Sequence, residues 1–159
     1  MAKTLYIVRH AKAQWPEQGQ SDFDRKLNAR GHHDAAIMGS WFKNIYGCPE
    51  HWISSSAPRA FATAEHFANA MDNTLVIHPE ILIYEAPWQQ LLNVLKETPN
   101  SANRVILFGH NPGVSYLVAA LTKQSVEFAT STVACLESNI EQWNELKVGS
   151  CSLINISRP

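Results

Sequence analysis

The sequence is poor in the features that commit a chain to a membrane, a disulfide framework or a structural metal. Its three cysteines, Cys48, Cys135 and Cys151, are odd in number and widely spaced. With no C-x-x-C pair among them, they argue against a disulfide scaffold or a zinc knuckle, and three reduced structural thiols are expected. No apolar run approaches the roughly 20 residues that span a bilayer. The opening "MAKTLYIV" is too short for a signal peptide, so a cytoplasmic protein without membrane contact is expected. Neither sign of charge is in excess: 13 Lys and Arg face 14 Asp and Glu, for a net charge of -1. No global field therefore draws the protein to nucleic acid, and any anion site must be local. Seven histidines raise the question of a metal, yet none stands in an H-E-x-x-H or comparable spacing. His32 and His33 are adjacent and diverge on a helix, and His51, His66 and His78 are isolated, which assigns them surface or satisfied core roles. No metal or other cofactor is expected. Repeats, linkers and low-complexity tracts are also lacking.

What is present is a chain of 159 residues with 45% hydrophobic composition, enough for one domain, residues 1–159, with a sizeable core and short for two. Residues 4–8 read as a buried strand because their apolar residues run continuously. Residues 11–26 are polar and carry Pro16 and Gly19, which makes them a loop over the end of that strand. Ala35, Ala36, Met38, Gly39, Phe42 and Ile45 then follow helical spacing as a candidate core face, with Gly47 as the C-cap of a helix of about four turns. The plan repeats with a strand at 52–54, a Ser/Pro turn and a helix with Pro58 in its first turn. A short strand at 75–77 precedes the apolar segment 81–83 and a helix that starts at a proline and stops before Pro99. A strand at 104–108, a glycine-bearing turn and a helix from about Pro112 form the clearest unit. "VEFATSTVACLES" and "GSCSLINISR" have the patterning of two closing strands. Strands alternating with helices predict an α/β fold, a three-layer αβα sandwich around a mostly parallel sheet. Trp15, Trp41 and Trp88 are assigned to core packing, the usual place of large aromatics.

In such sheets sites gather beyond the carboxyl ends of the strands. Three strand ends carry Arg9-His10, Ser55-Ser56 followed by Arg59, and Gly109-His110. Each alone reads equally as a capping feature or a tight turn. Together, two arginines and two histidines make a compact cationic pocket suited to a phosphate. A guanidinium grips two phosphoryl oxygens through its planar fork, and Arg59 adds a place in the first turn of its helix. A neutral His10 has a lone pair for attack on phosphorus, and nearby arginines favour that neutral form. His110 would stabilise charge developing on the phosphoryl oxygens. Gly109 would let the backbone pass close to a ligand, with Asn111-Pro112 starting the helix behind it.

"VRHAK", "SSAPRAFATAE" and "LFGHNPG" resemble the histidine phosphatase superfamily, along nearly the whole chain. "RHAK", "DFDRKLNARG" and "FGHNPG" resemble its short branch typified by the SixA phosphohistidine phosphatase. The resemblance implies a phosphoglycerate mutase-like fold and a phosphatase without a metal. It implies that His10 is the transiently phosphorylated nucleophile, that Arg9 and Arg59 bind the phosphoryl group, and that His110 is the second pocket histidine. Asn111 is a further substrate-binding candidate. Ala11 replaces the superfamily's usual glycine, which weakens the match if that position needs positive φ. Arg25 falls where the branch has an arginine before Pro-Leu, with Lys26 in place of the proline; it supports the pocket or is a solvated loop arginine. Many superfamily members use a carboxylate to protonate the leaving group, and Glu85 is the candidate, against a reading in which it complements a helix dipole. The branch implies protein phosphohistidine as substrate and a place in signal transduction. A small phosphate ester is the second reading, and a non-catalytic phosphate-binding module is the third.

Overall fold

The computed structural model describes residues 2–71 and 74–159. The first apolar run forms strand β1 (Lys3–Arg9), and the later ones form β2 (His51–Ser55), β3 (Ile77–Glu80), β4 (Arg104–Gly109), β5 (Val133–Ser138) and β6 (Ser152–Ser157). They pair in one sheet of order β3-β2-β4-β1-β5-β6. β1, β2, β3 and β4 run parallel, and β5 runs antiparallel to both of its neighbours, β1 and β6. Four helices complete the α/β fold: α1 (Ala29–Tyr46), α2 (Pro58–Ala70), α3 (Trp88–Lys96) and α4 (Gly113–Thr122).

Because side chains alternate across a strand, the sheet has two apolar faces. Leu5, Ile7, Val105 and Leu107 pack with Leu91 and Leu95 of α3 and Val114, Leu117 and Leu121 of α4. Tyr6, Val8, Ile106 and Phe108 pack with Met38 and Phe42 of α1 and Ala64 and Phe67 of α2. Two helices on each face give the three layers expected. No helix among the described residues is long and apolar enough to cross a membrane.

The strand order sets the position of everything polar. β4 lies between β1 and β2, with Arg9 opposite Gly109 and Ser54 opposite Phe108. The carboxyl ends that carry Arg9-His10, Ser55 and Gly109-His110 are therefore neighbours. The remaining sequence after β1 is the loop 11–28, which ends at Asn28, the N-cap of α1, whose side chain accepts from the Gly31 N–H at 2.8 Å.

Several local expectations are corrected. Of the proposed α1 stripe, Ala35, Met38, Gly39 and Phe42 are buried, but Ala36 and Ile45 face solvent. Tyr46, a full turn beyond Phe42, takes the inward position and packs on Tyr6 and Phe42. The helix spans 18 residues, about five turns rather than four. The third strand lies at Ile77–Glu80, not at 75–77; it is a sheet edge, where Pro79 is tolerated. Trp15 is 88% exposed, within the exposed run 14–19 of its loop, while Trp41 and Trp88 pack partly buried against the two core faces.

Loop 11–28 is held close to α1. A Cβ on Gly31 would overlap the Lys12 carbonyl oxygen, which accepts the Asn28 N–H at 3.0 Å. Gly31→Ala is expected to cost about 1–3 kcal/mol, the usual range for overpacking, read as a lower urea midpoint with unchanged slope. An unchanged midpoint would show that the loop gives way freely.

Candidate active site

His10 follows the last residue of β1 and is 9% exposed. Its backbone is tied on both sides, with its N–H on the Gly109 carbonyl at 3.0 Å and its carbonyl accepting the Ser131 N–H at 3.2 Å. The ring Nδ1 lies 2.7 Å from the Ala11 carbonyl oxygen. A carbonyl only accepts, so Nδ1 carries the proton and donates, and the lone pair of the neutral ring is on Nε2. Ala11 itself is fully buried and is not among the positive-φ residues, so alanine costs nothing at the position where the superfamily pattern has glycine. Its N–H donates to Thr63 Oγ1 at 3.0 Å, and that hydroxyl donates to the Arg59 carbonyl at 2.8 Å. This chain of bonds fastens the end of β1 to the first turn of α2.

Arg59 is the second residue of α2 and 5% exposed. Its Nη1 donates to the Asp22 carbonyl at 2.7 Å and its Nη2 to the Asp22 carboxylate at 3.0 Å. Arg9 donates Nη1 to the Phe128 carbonyl at 2.8 Å. The Nε of each arginine is buried without a protein partner, as is Nδ1 of His110. Buried donors of this kind are costly unless something accepts from them. The three together suit an oxyanion.

His110 follows β4 with its ring centroid 5.2 Å from that of His10. Its Nε2 is 2.8 Å from Ser55 Oγ, whose oxygen also accepts the Ala57 N–H at 3.1 Å. With the Ser55 hydroxyl donating to Nε2, the proton of neutral His110 is on Nδ1, the unpartnered atom. Ser55 was only a strand-end residue in the sequence; this contact gives it a task. The tight packing around Gly109 comes from the core, since a Cβ there would crowd Val114 and Ile83.

The other candidates are placed as follows. Arg25 donates Nε to the Gln14 carbonyl at 2.7 Å and Nη1 to Asp22 at 2.9 Å, so it is a fastened loop arginine whose charge reaches His10. Both ends of the Asn111 amide are committed, Nδ2 to the Phe128 carbonyl and Oδ1 to Ser115. Glu85 has φ of +51° and lines a groove of about 490 Å³ together with His110, Asn111, Trp88 and Tyr116. It lies two residues ahead of Pro87, the N-cap of α3, and so outside the first turn of that helix. Asp22 and Tyr84 were not singled out by sequence. Tyr84 Oη donates to Asp22 Oδ2 at 2.6 Å and its ring stands edge-on to His110. The acidic residue three positions before Arg25 was the available signal. Elsewhere, His32 Nδ1 meets His66 Nε2 at 2.9 Å, and no group of three or more metal-ligating side chains is found among the described residues.

Electrostatics keep both pocket imidazoles neutral. Burial, then the charges of Arg59, Arg9 and Arg25, bring His10 down to about 4 against the opposing bond to Ala11. Burial, then His10, Arg59 and Arg9, bring His110 down to about 3, with Asp22 opposing.

A family model, the histidine phosphatase superfamily (branch 1), matches residues 5–83. The SixA protein of Agrobacterium tumefaciens is 27% identical, with a TM-score of 0.85 over 99% of this chain and 98% of that one. A structure of the protein histidine phosphatase SixA complexed with tungstate is 21% identical, with a TM-score of 0.83 over 98% and 96%. An uncharacterised protein of Mycobacterium leprae is 27% identical over 166 residues, which cover 96% of this chain and 99% of that one.

The depressed values predict two linked behaviours. The ring signals of His10 and His110 in pH-dependent NMR should remain those of neutral imidazole at pH 5. Between about 6.5, the ordinary unfolded value, and about 4, the unfolded chain takes up more protons than the folded one. Stability is therefore fully present above 6.5 and lost as pH falls toward 4. A midpoint near 6.5 for either ring would contradict this.

Proposed function

Because the chain belongs to the histidine phosphatase superfamily, we propose that it is a metal-independent phosphatase acting through a phosphohistidine intermediate on His10, with protein phosphohistidine as its substrate. The observation that carries the reading is the Nδ1–H bond of His10 to Ala11, which leaves a neutral ring with its Nε2 lone pair free. In the first step Nε2 forms a bond to phosphorus while the bond to the leaving group breaks on the opposite side. The leaving imidazole, protonated on its other ring nitrogen before cleavage, keeps the electron pair of the P–N bond and departs neutral. In the second step water attacks phosphorus, the P–N bond to His10 breaks with its electron pair returning to Nε2, and inorganic phosphate departs with the protons of the water. The Nε groups of Arg9 and Arg59 and Nδ1 of His110 donate to the phosphoryl oxygens as charge gathers on them. Their two fixed positive charges supply the field that a metal would otherwise provide.

The substrate class is supported by access. Among the described residues the four helices are spent on the sheet faces, and the segments that reach the pocket are loop 11–28 through Asp22, the turn after β3 through Tyr84 and the segment before β5 through Phe128. A side chain on another protein has a way in. A small phosphate ester is the second reading, favoured by Glu85 in the groove beside His110. An alkoxide leaving group needs a proton in the transition state, to which a positioned acid contributes about 10²–10⁴-fold; a phosphoramidate needs it far less, since its imidazole is protonated readily.

His10→Ala is expected to lose turnover with the fold intact. An alkaline quench of the wild type during turnover of an aryl phosphate should leave base-stable, acid-labile phosphate on His10. Full turnover in the variant would reject the covalent route, and no turnover by the wild type on any phosphate would leave only a binding module. Glu85→Gln should slow alkyl phosphates most, aryl phosphates less and phosphohistidine protein least. An equal, small effect on all three would remove Glu85 from the chemistry.

A further inference from the structure

The two pocket arginines share one bonding pattern. Each gives terminal nitrogen to a loop and keeps a buried Nε without a protein partner. They differ in what holds them: Arg9 is held by the main-chain carbonyl of Phe128, whereas Arg59 is held by Asp22, which sets a full negative charge 3.0 Å from the cation. Such a carboxylate has two opposed consequences. As a competing anion it weakens oxyanion binding. As an anchor it strengthens binding, because the guanidinium no longer has to be ordered when the ligand arrives.

The bonding around Asp22 favours the anchor. Oδ1 accepts from Arg25 at 2.9 Å, Oδ2 accepts from Tyr84 at 2.6 Å and Arg59 at 3.0 Å, and the main-chain carbonyl accepts from Arg59 at 2.7 Å. Tyr84 in turn packs edge-on against Phe23 and His110. Asp22 engages the Nη end of Arg59 and leaves the Nε edge, which carries the unpartnered donor. Tyr84 and Arg25, with Arg59, hold its carboxyl well below the usual carboxylate range, so it remains charged in this position.

We propose that Asp22 is a positioning residue of the phosphate clamp: it fastens the Nη end of Arg59 so that the Nε edge meets the phosphoryl group, and it stays in place while the oxyanion binds. This rests on the phosphatase reading, in which Arg59 grips that group.

Tungstate binding, which needs no turnover, tests it by calorimetry on the full chain, with thermal melts to verify folding. Asp22→Asn is expected to bind tungstate about tenfold more weakly, the scale of a lost bond to a charged group, although a negative charge beside the anion has been removed. Tyr84→Phe, which alters no charge, should weaken binding by about two- to fourfold. The Arg59 Nε–H signal in ¹⁵N NMR should move on tungstate addition in the wild type and stay unmoved in Asp22→Asn. Equal or tighter binding by a folded Asp22→Asn overturns the inference and leaves the phosphatase reading standing. Should that variant not fold, unchanged affinity in Tyr84→Phe overturns it. No tungstate binding by the wild type rejects the phosphatase reading itself.

Discussion

Two guanidinium groups, one at the end of β1 and one in the first turn of α2, are the constraint on which the rest of this structure turns. Removing a cation from water costs several kcal/mol unless partners replace the lost hydration. Arg59 is almost fully buried and Arg9 partly so. The two irregular segments beside the sheet's carboxyl edge meet that demand: loop 11–28 brings Asp22 to Arg59, and the segment before β5 brings the Phe128 carbonyl to Arg9. Asn111 holds that same carbonyl, which ties the start of α4 to the arrangement. Neither segment is regular, and the arginines are part of the reason each has a defined path.

The same cations decide the protonation of the histidines between them. A positive charge nearby penalises a second one, so burial and the arginines act together on His10 and His110. Neutrality alone does not make a nucleophile, because the lone pair must also face outward. The Ala11 carbonyl, which only accepts, does this for His10. With the Ser55 hydroxyl donating to His110 Nε2, one ring is left with an acceptor to offer and the other with a donor. The cost appears in acid, where both rings would rather be protonated in the unfolded chain.

Much of this was legible in the residues. Continuous apolar runs located β1 and β4 within a residue or two, since strands buried on both faces leave no other pattern. The placement of Arg9-His10, Arg59 and Gly109-His110 beyond strand ends followed from those strands. β3 was misplaced by two residues because an edge strand with one partner carries little signal, and Pro79 argued against it. Asp22 and Tyr84 were illegible for a different reason. They are 62 residues apart, and nothing in either neighbourhood records that the loop after β1 folds back onto the turn after β3. Arg25 was visible as part of a motif, but its fastening to Gln14 and Asp22 exists only in three dimensions.

The arginines that penalise a proton on His10 act in the opposite sense on a phosphoryl group, because a proton adds positive charge to the ring whereas a phosphoryl group brings negative charge. An exposed imidazole has an ordinary value near 6.5, whereas burial and the arginines hold His10 at about 4, so its ring is unprotonated at neutral pH. In the proposed reaction the same two cations therefore do two things: they keep the lone pair of His10 free to attack, and they receive the negative charge that arrives with the phosphoryl group.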